Sequence, residues 1–395
     1  MKIFYIESPL TYSNEKEYSI MQLKDICDAL SENLELCKFD EIKFCEHPIV
    51  YIATGGTEGK FLELFNESSA HEWLILCANT NNSLAASIEI LAYLKQNDRV
   101  GKIIYIADKN NAINELNNYL AAIKTKDSLK NMRFGQLGMS SDWLIASNVY
   151  KDKAKNTFGI DIIDINMDEF FDEYSKKTYS KNKYTDDFLK HNFDLSEKEN
   201  ALYIYGAIKR IVEKYDLRAI TVRCFDLLNP TCGTGCIALA ILNAEGIYAG
   251  CEGDMPALIT MAIAGELTGE PCFLCNPSQL NFDNNSIYLA HCTLPLNMVN
   301  HYTLDTHFES NTGVAISGEI DKGEATIFRV SSNCSEYFVS NAKIINNMSL
   351  NTLCRTQIEL KLEKSINYFI NNPIGNHHIV IKGNYEELIN SFFNF

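Results

Sequence analysis

The stretch Gly246-Ile-Tyr-Ala-Gly-Cys-Glu-Gly-Asp-Met-Pro-Ala-Leu-Ile-Thr-Met-Ala-Ile-Ala-Gly-Glu-Leu-Thr-Gly269 passes from strand to turn to helix. Ile247 to Cys251 reads as a short apolar strand. Pro256 stands where a first helical turn accepts proline, because its missing N–H would go unpaired there anyway. An apolar helix follows to about Leu267 and stops near Gly269. Between strand and helix stand two carboxylates, Glu252 and Asp254, separated by one glycine. That is the carboxyl end of a strand, where open α/β sheets place their ligands. On an extended backbone, spacing i, i+2 puts both side chains on one side. Such a pair suits a divalent metal, or one ligand plus one proton-transfer group. The plainer reading is a helix N-cap with a second acid favoured by the helix dipole.

Upstream, strand and helix signals alternate. Lys2–Ile6, Pro48–Ala53, Trp73–Cys77 and Lys102–Ala107 read as strands, with helical period in Met21–Leu30 and Leu84–Lys95. That alternation predicts βαβ units and a parallel sheet over residues 1–128. Gly55-Gly56 after a strand suggests an anion cradle with Thr57 as cap. It is not the dinucleotide fingerprint. Lys124–Lys130 is polar and reads as a linker. A second α/β unit, 129–218, opens at Met132–Gly138, and Ser140 or Ser141 is placed to cap a following helix. Ala219–Phe225 is a strand and Gly235–Leu242 a helix. Beyond Pro271 come short β segments: Ser286–Cys292, Gly313–Ile320, Ala325–Val330, Tyr337–Ile344, Cys354–Leu362 and His377–Ile381. Strands at that spacing predict an antiparallel barrel or sandwich. Residues 219–395 thus form a third domain, which carries the focal stretch.

The chain has 395 residues, 46% hydrophobic and 22% charged, enough for packed cores without metal or disulfide staples. Its net charge of −16 argues against nucleic acid and anionic membrane as partners. Thirteen scattered cysteines, and an opening strand in place of a signal peptide, suggest a reduced, cytoplasmic protein. Cys272-Phe-Leu-Cys275 has the spacing of one zinc arm. On a strand, however, side chains three apart face opposite ways.

The chain resembles the L-fucose/L-arabinose isomerase-like proteins, in particular the branch of about 400 residues. The resemblance is carried by Thr221-Val-Arg-Cys-Phe-Asp226, Gly235-Cys-Ile-Ala-Leu-Ala240, Cys251-Glu-Gly-Asp254 and Leu267-Thr-Gly269. It continues in Asn276-Pro-Ser278, Leu289-Ala-His-Cys-Thr293, Thr306-His-Phe-Glu309, Cys354-Arg-Thr-Gln357 and Gly375-Asn-His-His378. Gly55-Gly-Thr-Glu58, Asn82-Ser-Leu-Ala85 and Ser141-Asp-Trp-Leu-Ile-Ala-Ser147 extend it through the first two domains. It implies two Rossmann-like parallel-sheet α/β domains followed by an α+β domain with an antiparallel β-barrel. It also implies metal-assisted aldose–ketose isomerisation through an ene-diolate, usually with manganese, on a sugar or sugar derivative. Asp254 falls on the family's metal-ligand aspartate, and His377 or His378 on its histidine. Glu252 is a ligand or the base. A homo-oligomer is implied, with a neighbour's Gly55–Glu58 or Ser141–Trp143 turn covering the pocket. The larger isomerases take one more carboxylate from the helix before the focal stretch. Here that helix, Cys236-Ile-Ala-Leu-Ala-Ile-Leu242, carries no acid, and Asp226 is the nearest substitute. The alternative is a metal-poor relative with transaldolase- or lyase-like chemistry, or one that only binds a sugar derivative.

Other residues have two readings. Arg223 binds an anionic group of the substrate or pairs with Asp226. His291 lines the pocket or is a satisfied core group. His307 and Glu309 share a strand face and reach a sugar, or form a surface pair. Asn276 and Ser278 bond hydroxyls or close a turn. Arg329 and Arg355 read as structural ion pairs.

Overall fold

The computed structural model describes residues 1–9 and 12–394, and of Ser13 only the backbone. The chain folds into two compact units. One holds residues 1–124 with the end of the chain from Asn390, and the other holds Thr125–Ile389.

In the first unit, strands β1 (Lys2–Ile6), β2 (Glu35–Leu36), β3 (Ile49–Ile52), β4 (Glu72–Cys77) and β5 (Val100–Tyr105) form one parallel sheet, ordered β2-β1-β3-β4-β5. Ile49–Ile52 is buried throughout, as a central parallel strand covered on both faces must be. Helices α1 (Ser13–Ala29), α2 (Glu58–Glu67), α3 (Ser83–Gln96) and α4 (Lys109–Leu129) connect the strands. Two expectations need correcting. Lys124–Lys130 is no linker, because α4 continues to Leu129. Its buried positions Ala112, Leu116, Tyr119, Ala122 and Leu129 keep a helical period, and no Gly or Pro interrupts it. Thr57 does not cap α2, because its hydroxyl donates to Thr54 O at 2.7 Å.

The second unit opens with another parallel sheet, ordered β7-β6-β8-β9, from β6 (Arg133–Leu137), β7 (Asp161–Ile165), β8 (Ala219–Val222) and β9 (Tyr248–Cys251). Register pairs Leu137 with Ile165 and Val222, and Val222 with Cys251. Four carboxyl ends therefore share one edge of the sheet. Gly138, Asn166, Arg223 and Glu252 begin the segments that leave it. No helix follows Ser140 and Ser141, and α5 (Lys151–Phe158) starts later. Each of these serines donates a hydrogen bond to the focal turn instead. Ser140 Oγ donates to Gly253 O at 3.0 Å and Ser141 N to Glu252 O at 2.8 Å. Helices α6 (Met167–Ser175), α7 (Lys183–Phe188), α8 (Leu195–Tyr215) and α9 (Leu228–Thr231) lead to α10 (Cys236–Ala244) and α11 (Met255–Thr268). α11 is apolar on all sides and buried almost throughout. It packs on β8 and β9 and, with other residues, on the barrel that follows. Gly269, in the left-handed region at φ 71°, ends it.

The closed antiparallel barrel runs β10-β11-β16-β15-β14-β17. Its strands are β10 (Phe273–Asn281), β11 (Ser286–His291), β14 (Gly323–Val330), β15 (Tyr337–Asn347), β16 (Thr356–Leu362) and β17 (His378–Lys382). β12 (Tyr302–Asp305) and β13 (Ala315–Gly318) pair separately. Leu137, Ile220, Ala249, Ile287, Ile327 and Val380 belong to one continuous core, so the second sheet and the barrel share an interior. No helix among the described residues is long and apolar enough to cross a membrane.

Candidate active site

The focal turn is held in a conformation most residues avoid. Glu252 (φ 61°) and Gly253 (φ 69°) both lie in the left-handed region. A Cβ on Gly253 would come within 2.4 Å of Met139 O, so only glycine fits beside that backbone. Asp254 then caps α11, its Oδ1 accepting from Ala257 N at 2.9 Å.

Asp254, Arg329 and His377 are fully buried together. Arg329 Nη1 lies 3.2 and 3.3 Å from the two Asp254 oxygens, and His377 Nδ1 lies 2.8 Å from Oδ2. Burial would raise the Asp254 carboxyl, but the guanidinium and the imidazole outweigh it and hold it well below the usual carboxylate range. Gly375 leaves room for the guanidinium, since a Cβ there would meet Arg329 Nη2 at 2.6 Å. Glu252 extends the network. Its Oε2 accepts from Trp143 Nε1 at 2.6 Å, and its Oε1 lies 3.6 Å from His377 Nε2. Burial would raise Glu252, but His377, His291 and the indole N–H bring it down to about 2. Burial would lower His377, but Asp254 and Glu252 push it up to about 9.

His291 completes the group. Its Nδ1 is 2.9 Å from Thr293 Oγ1, and its ring stands edge-on to His377 at 5.5 Å. Burial, with His377 adding, lowers it to about 4, so it is neutral. Donor atoms of Glu252, His291 and His377 all lie within 4.8 Å of one another. One carboxylate and two imidazoles suit a borderline divalent ion. His377 Nε2 is buried without a hydrogen-bond partner, while Asp254 holds Nδ1. A carboxylate behind a ligating histidine is the usual support of a metal site. The residues present therefore fit a metal.

Glu252 and His291 open onto a cleft also lined by Phe225, Asn276, His307 and Glu309. Five thiols complete much of its wall: Cys224, Cys236, Cys251, Cys292 and Cys354. Glu309 keeps much of its surface in solvent, and the partial desolvation its carboxyl meets at the cleft, opposed by His307 and joined by Glu252, raises it. His307 and Glu309 sit in a turn after β12, not on a strand as expected, and His307 Nδ1 is 3.0 Å from Ser310 Oγ.

The remaining sequence-predicted residues have the following places and partners. His378 begins β17 one residue after His377, and the strand alternation turns it away. Its Nδ1 bonds Asn376 O at 2.8 Å and its Nε2 bonds Tyr368 OH at 3.1 Å, among Phe338, Tyr368 and Phe369. Asp254 is not among the clustered donors, because Arg329, His377 and Ala257 N occupy its oxygens. Ser278 lies at the β10 bulge, donating to Asn276 O at 3.3 Å, outside the cleft wall. Arg223 bridges Asp226 at 3.0 Å and Asp142 at 3.0 Å. Arg223 and Asp226 line a different cleft, at the carboxyl ends of β6 and β7 with Gly138 and Asn166. Arg355 pairs with Asp305 at 3.3 Å.

No family model matches the chain. Three curated relatives do, each called a sulfoquinovose isomerase. That of Clostridium sp. (strain MSTE9) is 22% identical over 202 residues, 49% of this chain and 45% of the relative. Those of Priestia aryabhattai and Priestia megaterium (strain ATCC 12872 / QMB1551) are each 29% identical over 130 residues, 31% of this chain and 29% of the relative. The match thus spans less than half the length of each relative. Over these stretches the chain is similar to sugar isomerases.

Proposed function

We propose that this chain is an aldose–ketose isomerase of the L-fucose/L-arabinose isomerase-like family, acting on a sugar or sugar derivative. The observation that carries this reading is the convergence of Glu252, His291 and His377 at a strand end, in a chain locally similar to sulfoquinovose isomerases. Glu252, His291 and His377 would hold a divalent metal, manganese first, with Asp254 fixing the His377 tautomer. Such an ion, when bound, supplies charge stabilisation for an ene-diolate. Glu309 is the other carboxylate of the cleft, and its raised carboxyl suits a group that takes a proton from one sugar carbon and returns it to the next. Asn276 and His307 line the same cleft and would bond hydroxyls. The reading extends to a cytoplasmic homo-oligomer that binds neither nucleic acid nor membrane.

One observation favours a metal-poor variant of the same isomerase-like site. Arg329 already neutralises Asp254, and α10 contributes no acid. Incubation of sulfoquinovose and neutral aldohexoses with and without Mn²⁺, followed by NMR, tests the proposal. Metal-dependent aldose–ketose exchange supports it. No exchange on any sugar, from protein that binds about one ion per chain, removes the isomerase reading. Exchange that survives complete metal removal selects the metal-poor variant. Sulfoquinovose is the first sugar to try, because it is the one the relatives are named for.

A further inference from the structure

Two of the thiols in the cleft wall are already neighbours. Cys251 ends β9, paired in register with Val222, and Cys224 stands two residues beyond Val222 in the segment that leaves β8. Their sulfurs are 2.9 Å apart. Both residues are buried from bulk solvent yet line the cleft, which gives a small reagent a route to them.

The pair also sits at a lever point. Cys251 directly precedes Glu252, and Cys224 directly precedes Phe225. Trp143 bridges these two followers. Its Nε1 donates to Glu252 Oε2 at 2.6 Å, and its ring stands edge-on to Phe225 at 4.8 Å. A covalent change at the sulfurs is therefore transmitted to both sides of the indole.

We propose that Cys224 and Cys251 form a dithiol modification site, oxidised by hydrogen peroxide to a disulfide that repositions Glu252 and Trp143. Either sulfur can be the donor in their contact and both line the cleft, and Cys224 is taken as the attacking one. Cys224 sulfur attacks one peroxide oxygen, the O–O bond breaks, and the departing hydroxide takes up the Cys224 thiol proton and leaves as water. Cys251 sulfur then attacks the resulting sulfenic acid, the S–O bond breaks, its thiol proton is lost, and a second water leaves. Two thiols are oxidised by two electrons in total and one peroxide is reduced to two waters. The sulfurs have only to close from 2.9 Å to the usual bond length of about 2.05 Å.

The test uses the full chain treated with a few equivalents of hydrogen peroxide, followed by thiol alkylation and peptide mapping. The expected result is a peptide pair linked through Cys224 and Cys251 that disappears on treatment with dithiothreitol. Trp143 emission should shift with the same time course, since Trp143 is 54% exposed while Trp73 is fully buried. Cys251→Ser should yield no such linked pair and no emission shift. Alkylated Cys224 and Cys251 after treatment, or a link formed instead among Cys236, Cys292 and Cys354, overturns the proposal. A link formed with unchanged Trp143 emission also overturns it. No readout depends on isomerase activity, so its failure is separate from failure of the proposed function.

Discussion

His377 Nδ1 lies 2.8 Å from Asp254 Oδ2, across 123 residues of chain, with both side chains fully buried. The bond fixes which imidazole nitrogen faces Glu252. Asp254→Asn keeps the shape, but removes the charge that balances Arg329. Breaking one side of a buried ion pair costs about 3–5 kcal/mol. Loss of a carboxylate behind a ligating histidine lowers metal affinity by roughly 10–100-fold. Denaturant melts and metal titration of the same preparation check both. Unchanged stability would mean that Arg329 has another counter-ion.

Glu252→Gln and Glu309→Gln should separate metal holding from proton transfer. The first removes one of three clustered donors, so bound Mn²⁺ and turnover fall together. The second leaves the clustered donors intact, so metal content should hold while kcat drops by about 10²–10⁴-fold. Metal analysis alongside sugar isomerisation rates distinguishes them. Loss of metal in Glu309→Gln would place that carboxylate in the ion's shell instead.

Much of this arrangement is legible in the amino-acid sequence. The strand, the two acids, the proline and the closing glycine located β9, the turn and α11, because each residue type has a local reason to be there. The barrel followed from short β segments between turn residues. What could not be read was partnership. Arg329 was visible as a structural cation, but nothing local assigned it to Asp254, 75 positions away. The assumption of an extended turn also failed, because Glu252 and Gly253 both take positive φ. Glu252 and Asp254 therefore do not point to one side of an extended segment. Asp254 supports His377 from behind, while Glu252 reaches its other nitrogen. Arg223 and Asp226 carried a strand-end signal that was true of the sheet edge, yet they face a separate cleft.

The pH dependence of the chelator-treated protein follows from the shifted groups of the site. His377 is raised from 6.5 to about 9, so its contribution is full below pH 6.5 and is lost as pH rises through about 9. Glu252 is lowered from 4.5 to about 2, so its contribution is full above pH 4.5 and is lost as pH falls through about 2. Thermal melts should peak near pH 6.5, with a decline toward pH 9 that His377→Gln removes and a decline below pH 6.5 because His291, lowered from 6.5 to about 4, stays neutral in the fold while the unfolded chain takes up a proton. Metal binding should run the other way on the alkaline side. A proton on Nε2 competes with the ion, so affinity rises with pH until His377 is neutral. A decline in stability that persists in His377→Gln would assign the alkaline limb to another group.

Gly253→Ala tests the turn itself. Alanine in the left-handed region costs about 1–2 kcal/mol from backbone sterics alone. Here its Cβ would also press to 2.4 Å from Met139 O and 2.7 Å from the Ser140 α-carbon, both backbone atoms that cannot swing aside. The segment carrying Trp143 must then lift off the turn. That breaks the hydrogen bonds from Ser141 N to Glu252 O and from Trp143 Nε1 to Glu252 Oε2 together. The expected outcome is a loss of stability beyond the steric cost, with Trp143 emission moving toward that of solvent-exposed indole and Mn²⁺ binding weakened through a looser Glu252. Gly246→Ala is the matched comparison. Its φ is also positive, at 84°, but a Cβ there meets nothing within 4 Å, so it should carry the backbone cost alone and leave emission and metal binding unchanged. Equal stability losses in the two variants, with Trp143 emission unmoved in both, would mean that the contact between Gly253 and the 139–147 segment does not hold Glu252 in place.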